Sequence, residues 1–128
     1  MPSYKRKFGD IGEDASVAFL VKRGFKILDR NYSKPWGEID IVAKKGGILR
    51  FIEVKTSEYH LDSNFMPEVR VDWKKQKKLR RICETYLFES GLRESQQWQI
   101  DVVSVILNQD NTARDIYLIE NAVFGSQY

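Results

Sequence analysis

A tight turn between two apolar segments constrains the fold of this chain most. Residues 44–47 read Lys-Lys-Gly-Gly and separate two segments, residues 38–43 and 48–56, that are rich in β-branched and other apolar side chains. Two adjacent glycines favour a β-hairpin turn because they adopt its positive φ angles without steric cost. We therefore predict two adjacent antiparallel strands in the middle of the chain.

A segment of helical period precedes this hairpin. Within residues 9–23, Glu13, Val17 and Leu20 recur at the spacing of one helix face. Gly24 follows at the position where a C-terminal cap commonly falls. Glu13 is in phase with the apolar residues, so we expect its carboxylate to face the sheet.

The remaining segments complete an alternation of helices and strands. Period and turn residues predict strands at residues 25–32, 97–107 and 115–120, a loop at residues 57–70, and a second helix at residues 73–89 with Asp72 as its N-cap. The resulting order is α-β-β-β-α-β-β. A mixed central sheet flanked by helices is the economical α/β architecture for this order, and 128 residues suit one domain over residues 1–128.

Cysteine content and hydropathy exclude several classes of protein. No apolar run approaches the roughly 18–20 residues that span a bilayer, so we expect no membrane segment. The basic start is not followed by an apolar stretch, so we expect no secretory signal. Cys83 is the only cysteine, which rules out a disulfide framework within the chain and fits a cytoplasmic location.

Acidic side chains interrupt both strands of the predicted hairpin. Asp40 lies in the first strand and Glu53 in the second, and period-two alternation places Lys55 on the same face as Glu53. Carboxylates in apolar strands are costly unless they are paired or bind a cation. One interpretation is an exposed polar face with a Glu53–Lys55 ion pair. The other is that Asp40 and Glu53 converge on a hard divalent cation, Mg²⁺ or Mn²⁺.

The second interpretation gives Lys55 a chemical role. An ammonium beside such a cation would orient a water nucleophile and neutralise charge that develops on a phosphate. These groups together are suited to phosphodiester hydrolysis.

Basic residues cluster in the second predicted helix. Six of the ten residues 72–81 are Lys or Arg. Such a run is either a solvated helix face or a contact surface for the phosphate backbone of nucleic acid. The residues assigned to nucleic-acid binding are Lys74, Lys75, Lys77, Arg80 and Arg81, with Lys75 on the apolar side of the helix and the other four forming an exposed stripe.

At the acidic residues the sequence resembles the PD-(D/E)XK, or restriction-endonuclease-like, superfamily. Within it the sequence is most similar to the YraN-like family of small bacterial proteins, with a looser likeness to archaeal Holliday-junction resolvases. The matching motifs run through nearly the whole chain: Gly12-Glu13, Gly24-Phe25, Arg30-Asn31-Tyr32, Gly37-Glu38-Ile39-Asp40, Phe51-Ile52-Glu53-Val54-Lys55, Lys75, Asp101-Val102-Val103 and Ile119-Glu120-Asn121-Ala122. One departure is Ile39, which precedes Asp40 where the superfamily pattern nominally has proline.

This resemblance implies a fold, an activity and a set of site residues. The fold is an αβββαβ core, in which Asp40 and Glu53 bind the metal, Lys55 is the catalytic lysine and Glu13 is the helix-borne acid. The activity is that of a Mg²⁺- or Mn²⁺-dependent endonuclease acting on DNA, with branched or distorted DNA among the expected substrates.

Two other functions remain open on the sequence alone. One is a non-catalytic nucleic-acid-binding module that keeps the nuclease fold. The other is a protein-assembly factor that uses residues 117–128 as its contact surface. The sequence also leaves open whether the protein forms a homodimer.

Other conspicuous side chains have simpler explanations. Asp101 is either a structural acid at a strand start or part of the rim of the site, and Glu38 either supports Asp40 or is an exposed acid beside a turn. His60 lies in a polar segment, where a solvated histidine is expected. Trp36 is expected to pack against the turn, with a stacking contact to nucleic acid as the alternative.

Overall fold

The computed structural model describes residues 4–60, 73–92 and 94–122. In chain order the elements are helix α1 (Tyr4–Lys22), strands β1 (Lys26–Lys34), β2 (Gly37–Lys45) and β3 (Ile48–Glu58), helix α2 (Trp73–Glu89), and strands β4 (Trp98–Leu107) and β5 (Ala113–Ile119). The predicted order of helices and strands is confirmed. Several boundaries were wrong by two residues or more. Helix α1 begins five residues earlier than the predicted residue 9, and β3 continues through residues 57 and 58, which were assigned to the loop. Strands β1 and β2 end two residues later than predicted, and β5 begins two residues earlier.

The rest of the predicted loop lies largely outside the described residues, as does Asp72.

The five strands form one mixed sheet in the order β1-β2-β3-β4-β5. The predicted hairpin of β2 and β3 is confirmed, and β1–β2 and β4–β5 are also antiparallel. Strands β3 and β4 are parallel. Parallel neighbours need a long crossover connection, and α2 belongs to that connection. This mixed α/β architecture is consistent with a restriction-endonuclease-like core.

Apolar side chains on both faces of the sheet hold the helices in place. On one face, Leu20 of α1 packs in a core with Ile41 and Val103. On the other, Ile82 of α2 packs in a second core with Phe51. The two helices therefore cover opposite faces of the same central strands.

Helix α1 lies unusually close to β3. A Cβ atom added to Gly12 would lie 1.9 Å from the Thr56 side-chain oxygen, so only glycine fits without movement of Thr56. This close approach fixes the position of the next residue, Glu13, against the sheet.

Within the described part of the chain, no helix has the length and apolar character needed to cross a membrane.

Candidate active site

The site lies where strands β2 and β3 separate. Their backbone pairing runs from Ile41–Ile52 to Lys45–Ile48, at the turn end of the hairpin. Asp40 is the residue just beyond this pairing, and its Oδ2 accepts a hydrogen bond of 2.8 Å from the backbone N–H of Val54. The Asp40 carboxylate thus occupies the place that a backbone carbonyl would take if the two strands stayed paired.

A cavity of about 340 Å³ opens at this divergence, between the sheet and α2. Its polar lining includes Glu38, Asp40, Glu53, Lys75 and Lys78. The structure therefore brings Asp40 and Glu53 to one cavity, and it adds two lysines of α2 to the same space.

The environment of Asp40 disfavours its ionised form. Burial raises the pKa of Asp40 from 3.8 to about 6, against the lowering effect of the Val54 hydrogen bond. The negative charges of Glu38, Glu13 and Glu53 raise this pKa further. Three neighbouring carboxylates therefore act on Asp40, and a cation bound at Asp40 would offset their repulsion.

The two carboxylate oxygens of Glu53 have different surroundings. Oε1 forms an ion pair of 2.9 Å with Nζ of Lys75. Oε2 is buried and accepts no hydrogen bond from the described residues. A buried carboxylate oxygen without a donor is costly, so Oε2 is suited to receive a cation or a water bound to one.

Glu13 approaches Asp40 from the α1 side of the sheet. Its side chain is only 8% exposed, and its Oε1 accepts hydrogen bonds from Nε of Arg30 at 3.0 Å and from Nδ2 of Asn31 at 3.1 Å. Asn31 has a φ of 55°, which asparagine tolerates better than most residues. Hydrogen bonds to Asp14 and Glu13 raise the pKa of Arg30, against the lowering effect of its burial. Glu13 thus faces the sheet and is held by two donors of β1.

The donor set fits a hard divalent cation that retains several waters. Asp40 and Glu53 supply carboxylate oxygen, which is the ligand type that Mg²⁺ and Mn²⁺ prefer. Among the residues that the structure describes, no group of three or more His, Cys, Asp or Glu is arranged to hold a metal ion. Two carboxylates plus water match Mg²⁺, which dehydrates reluctantly and commonly binds through one or two carboxylates.

Lys55 lies outside the lining of the cavity. Alternation along β3 puts it on the same face as Glu53, two residues further on, but the cavity is bounded by Lys75 and Lys78 instead. The sequence assigned Lys75 to phosphate contacts alone, whereas the structure pairs it with Glu53. The sequence did indicate that Lys75 faces the sheet, because it lies one turn before Leu79 on the apolar side of α2.

The predicted basic stripe on α2 is largely exposed, with one correction. Lys74, Lys77 and Arg81 are exposed, whereas Arg80 is only half-buried and so does not complete a continuous exposed stripe. The guanidinium of Arg81 lies 5.1 Å from the ring centroid of Trp36. Arg80 is partly covered by its surroundings, and its Nε atom is buried.

The other side chains considered from the sequence have clear places. Asp101 is fully buried and structural: its Oδ2 accepts a hydrogen bond of 3.1 Å from Arg50, and its Oδ1 accepts one of 2.8 Å from the backbone N–H of Asn121. His60 is exposed. Trp36 is 37% exposed, and its Nε1 donates to the hydroxyl of Thr85 at 3.1 Å.

The fold and the site together define a mixed α/β protein with two acids at the divergence of neighbouring strands. The chain belongs to the family described as Uncharacterised protein family UPF0102, the family of YraN-like proteins, whose model matches residues 12–105.

Similar proteins cover most of the chain. A UPF0102 protein of Dictyoglomus turgidum is 40% identical over 117 residues, which are 91% of this chain and 97% of that protein. One from Clostridium tetani is 36% identical over 122 residues, covering 95% and 98%. One from Campylobacter jejuni subsp. doylei is 41% identical over 97 residues, covering 76% and 81%.

Proposed function

We propose that this protein is a Mg²⁺- or Mn²⁺-dependent endonuclease that hydrolyses phosphodiester bonds of DNA. The observation that carries the proposal is the pair Asp40 and Glu53 at one cavity. Asp40 has a pKa raised to about 6 by burial and by neighbouring acids. Glu53 has a buried oxygen that accepts no hydrogen bond from the described residues. A divalent cation held by these two carboxylates would relieve both features.

The two acids would hold the cation, and their supports keep them in place. The Val54 N–H fixes one Asp40 oxygen, and the strand pairing up to Ile52 fixes the backbone next to Glu53. The chemistry that Mg²⁺ would supply there is positive charge, which favours attack at a phosphate. Glu13 adds negative charge near Asp40 and so strengthens the attraction for a cation.

In this proposal Lys55, which lies outside the cavity lining but on the same sheet face as Glu53, acts on the nucleophile. Its ammonium orients the attacking water and neutralises charge that develops on the phosphate. The water oxygen attacks phosphorus as the bond from phosphorus to the leaving sugar oxygen breaks. The attacking water gives up one proton to solvent, and the leaving oxygen takes one up from solvent. Lys55 cannot serve as a metal ligand because an ammonium has no lone pair.

Positive charge near the cavity favours a nucleic-acid substrate. Lys74, Lys77 and Arg81 are exposed on α2, and Lys78 lines the cavity itself. These residues would neutralise backbone phosphates without reading base sequence. Branched or otherwise distorted DNA is therefore included in the proposed substrate class.

Two variants separate the proposed roles of the site residues. Glu53→Gln keeps the side-chain shape but removes a ligand charge, so Mg²⁺ affinity and DNA cleavage should fall together. Lys55→Ala should lower the cleavage rate while largely keeping cation affinity. Calorimetric titration of cation and a cleavage assay on the same preparations measure both quantities, with Glu94→Gln as a control for loss of an exposed carboxylate.

One result would contradict this assignment of site residues. If wild type binds Mg²⁺ but neither site variant changes cation affinity or cleavage, Asp40, Glu53 and Lys55 do not form the active site. A non-catalytic nucleic-acid-binding module would then be the better account.

A further inference from the structure

The ion pair between Lys75 and Glu53 lies at the mouth of the cavity. Nζ of Lys75 is 2.9 Å from Oε1 of Glu53. The Glu53 side chain is 14% exposed and that of Lys75 is 50% exposed. The carboxylate therefore belongs to the cavity wall, while the ammonium reaches it from the solvent side.

This arrangement sets up a competition between two cations. A divalent cation at Glu53 would share a carboxylate with the Lys75 ammonium, and like charges at such short range repel. The cation would gain from Glu53 and Asp40 together, whereas the contact of Lys75 with Glu53 is a half-exposed ion pair, which is worth little. Binding of the divalent cation should therefore loosen Lys75 from Glu53.

A loosened Lys75 would remain where a phosphate must enter. Its position in the first turn of α2, among the residues that line the cavity, keeps the ammonium near the opening. Phosphate groups of a nucleic acid are anionic and attract lysine as a point charge.

We infer that Lys75 is the counter-ion of Glu53 in the cation-free protein and a contact to substrate phosphate once a divalent cation is bound. This inference rests on the proposed function, since it takes Asp40 and Glu53 as the cation site. Thermodynamic linkage then requires that cation and nucleic acid each raise the affinity of the protein for the other.

The test compares Lys75→Met with the matched variant Lys74→Met. Both remove one exposed lysine charge from the first turn of α2, but Lys74 does not line the cavity. Titration of Mn²⁺ by calorimetry gives the cation affinity of the protein without nucleic acid. Fluorescence anisotropy of a labelled DNA duplex, with and without Ca²⁺, gives the factor by which a divalent cation changes DNA affinity.

The expected results differ between the two variants. Lys75→Met should raise Mn²⁺ affinity by about two- to fivefold, the change that corresponds to removing a half-exposed ion pair from the site. It should also lower the enhancement of DNA affinity by Ca²⁺ by a similar factor. Lys74→Met should weaken DNA binding equally with and without Ca²⁺, and should leave Mn²⁺ affinity at the wild-type value.

Three outcomes would overturn the inference. One is a Lys75→Met protein with wild-type Mn²⁺ affinity and wild-type enhancement by Ca²⁺. Another is equal behaviour of the two variants. The third is a wild-type protein that binds neither Mn²⁺ nor Ca²⁺, because the inference requires a cation site.

Cleavage assays in Mg²⁺ distinguish this failure from failure of the proposed function. DNA cleavage by wild type, with no effect of Lys75→Met on cation affinity or coupling, removes only the role of Lys75. The predicted coupling without cleavage of DNA removes the nuclease activity and supports the role of Lys75 in binding.

Discussion

Replacing Asp40 with asparagine should stabilise the cation-free protein at neutral pH. The pKa of Asp40 is raised from 3.8 to about 6, chiefly by burial, so ionised Asp40 disfavours the folded state. A difference of about two pH units corresponds to up to about 3 kcal/mol in the free energy of unfolding at pH 7. Asparagine removes the charge and keeps an oxygen that can accept the Val54 N–H hydrogen bond.

The pH dependence identifies the source of this gain. Because the pKa is higher in the folded state, wild type becomes more stable as pH falls from about 6 toward 3.8 and Asp40 takes up its proton. The asparagine variant lacks this proton uptake. Its advantage over wild type should therefore be largest at pH 7 and should shrink toward zero near pH 4.

Chemical denaturation at several pH values, with a chelator present, measures the difference. Asp110→Asn is the matched control: Asp110 is an exposed acid whose pKa is lowered by its hydrogen bonds to Thr112, so its replacement should bring no gain at pH 7. An Asp40→Asn protein that is no more stable than wild type at pH 7, or whose advantage is the same at pH 4 and pH 7, would refute the reasoning.

Three further changes test the surroundings of the site. Asn31→Gly keeps the positive φ but removes the amide that donates to Glu13, so denaturation should show a loss of about 1.5–3 kcal/mol; an unchanged stability would contradict a role for that bond. Gly12→Ala should cost about 1–3 kcal/mol or more because its Cβ meets Thr56, and a Thr56→Ala background should restore part of the loss; an equal loss in both backgrounds would exclude the steric cause. Neutral replacement of four basic residues on α2 should lower DNA affinity and the slope of its salt dependence: Lys74, Lys77, Arg80 and Arg81. An unchanged affinity and an unchanged slope would show that this surface makes no phosphate contact.

The alternation of helices and strands could be predicted because the apolar residues of each segment recur with the period of a helix or of a strand. The hairpin followed from the two glycines of its turn, which the structure places at φ values of 60° and 75°. Asp40 and Glu53 were expected to converge because the hairpin makes their strands neighbours. These features depend on residues close together in the sequence.

The remaining features of the site depend on contacts between distant segments. No local pattern shows that β2–β3 pairing stops at Ile41–Ile52, although that separation creates the cavity. The pairing of Lys75 with Glu53 depends on how α2 crosses the sheet after β3. The hydrogen bond from Asn31 to Glu13 depends on the positive φ of Asn31 in β1. Asparagine tolerates a positive φ but does not require one, so the sequence does not predict it.

Cleavage of end-labelled nucleic acid tests the proposed nuclease activity most directly. Wild type and Asp40→Asn are compared in Mg²⁺ and in Mn²⁺ on single-stranded, duplex, flap and four-way-junction DNA. We expect wild type to cut at least one of these substrates only when the cation is present, and Asp40→Asn to be slower by at least about 100-fold. No cleavage of any substrate by wild type, or equal cleavage by Asp40→Asn, would contradict the account.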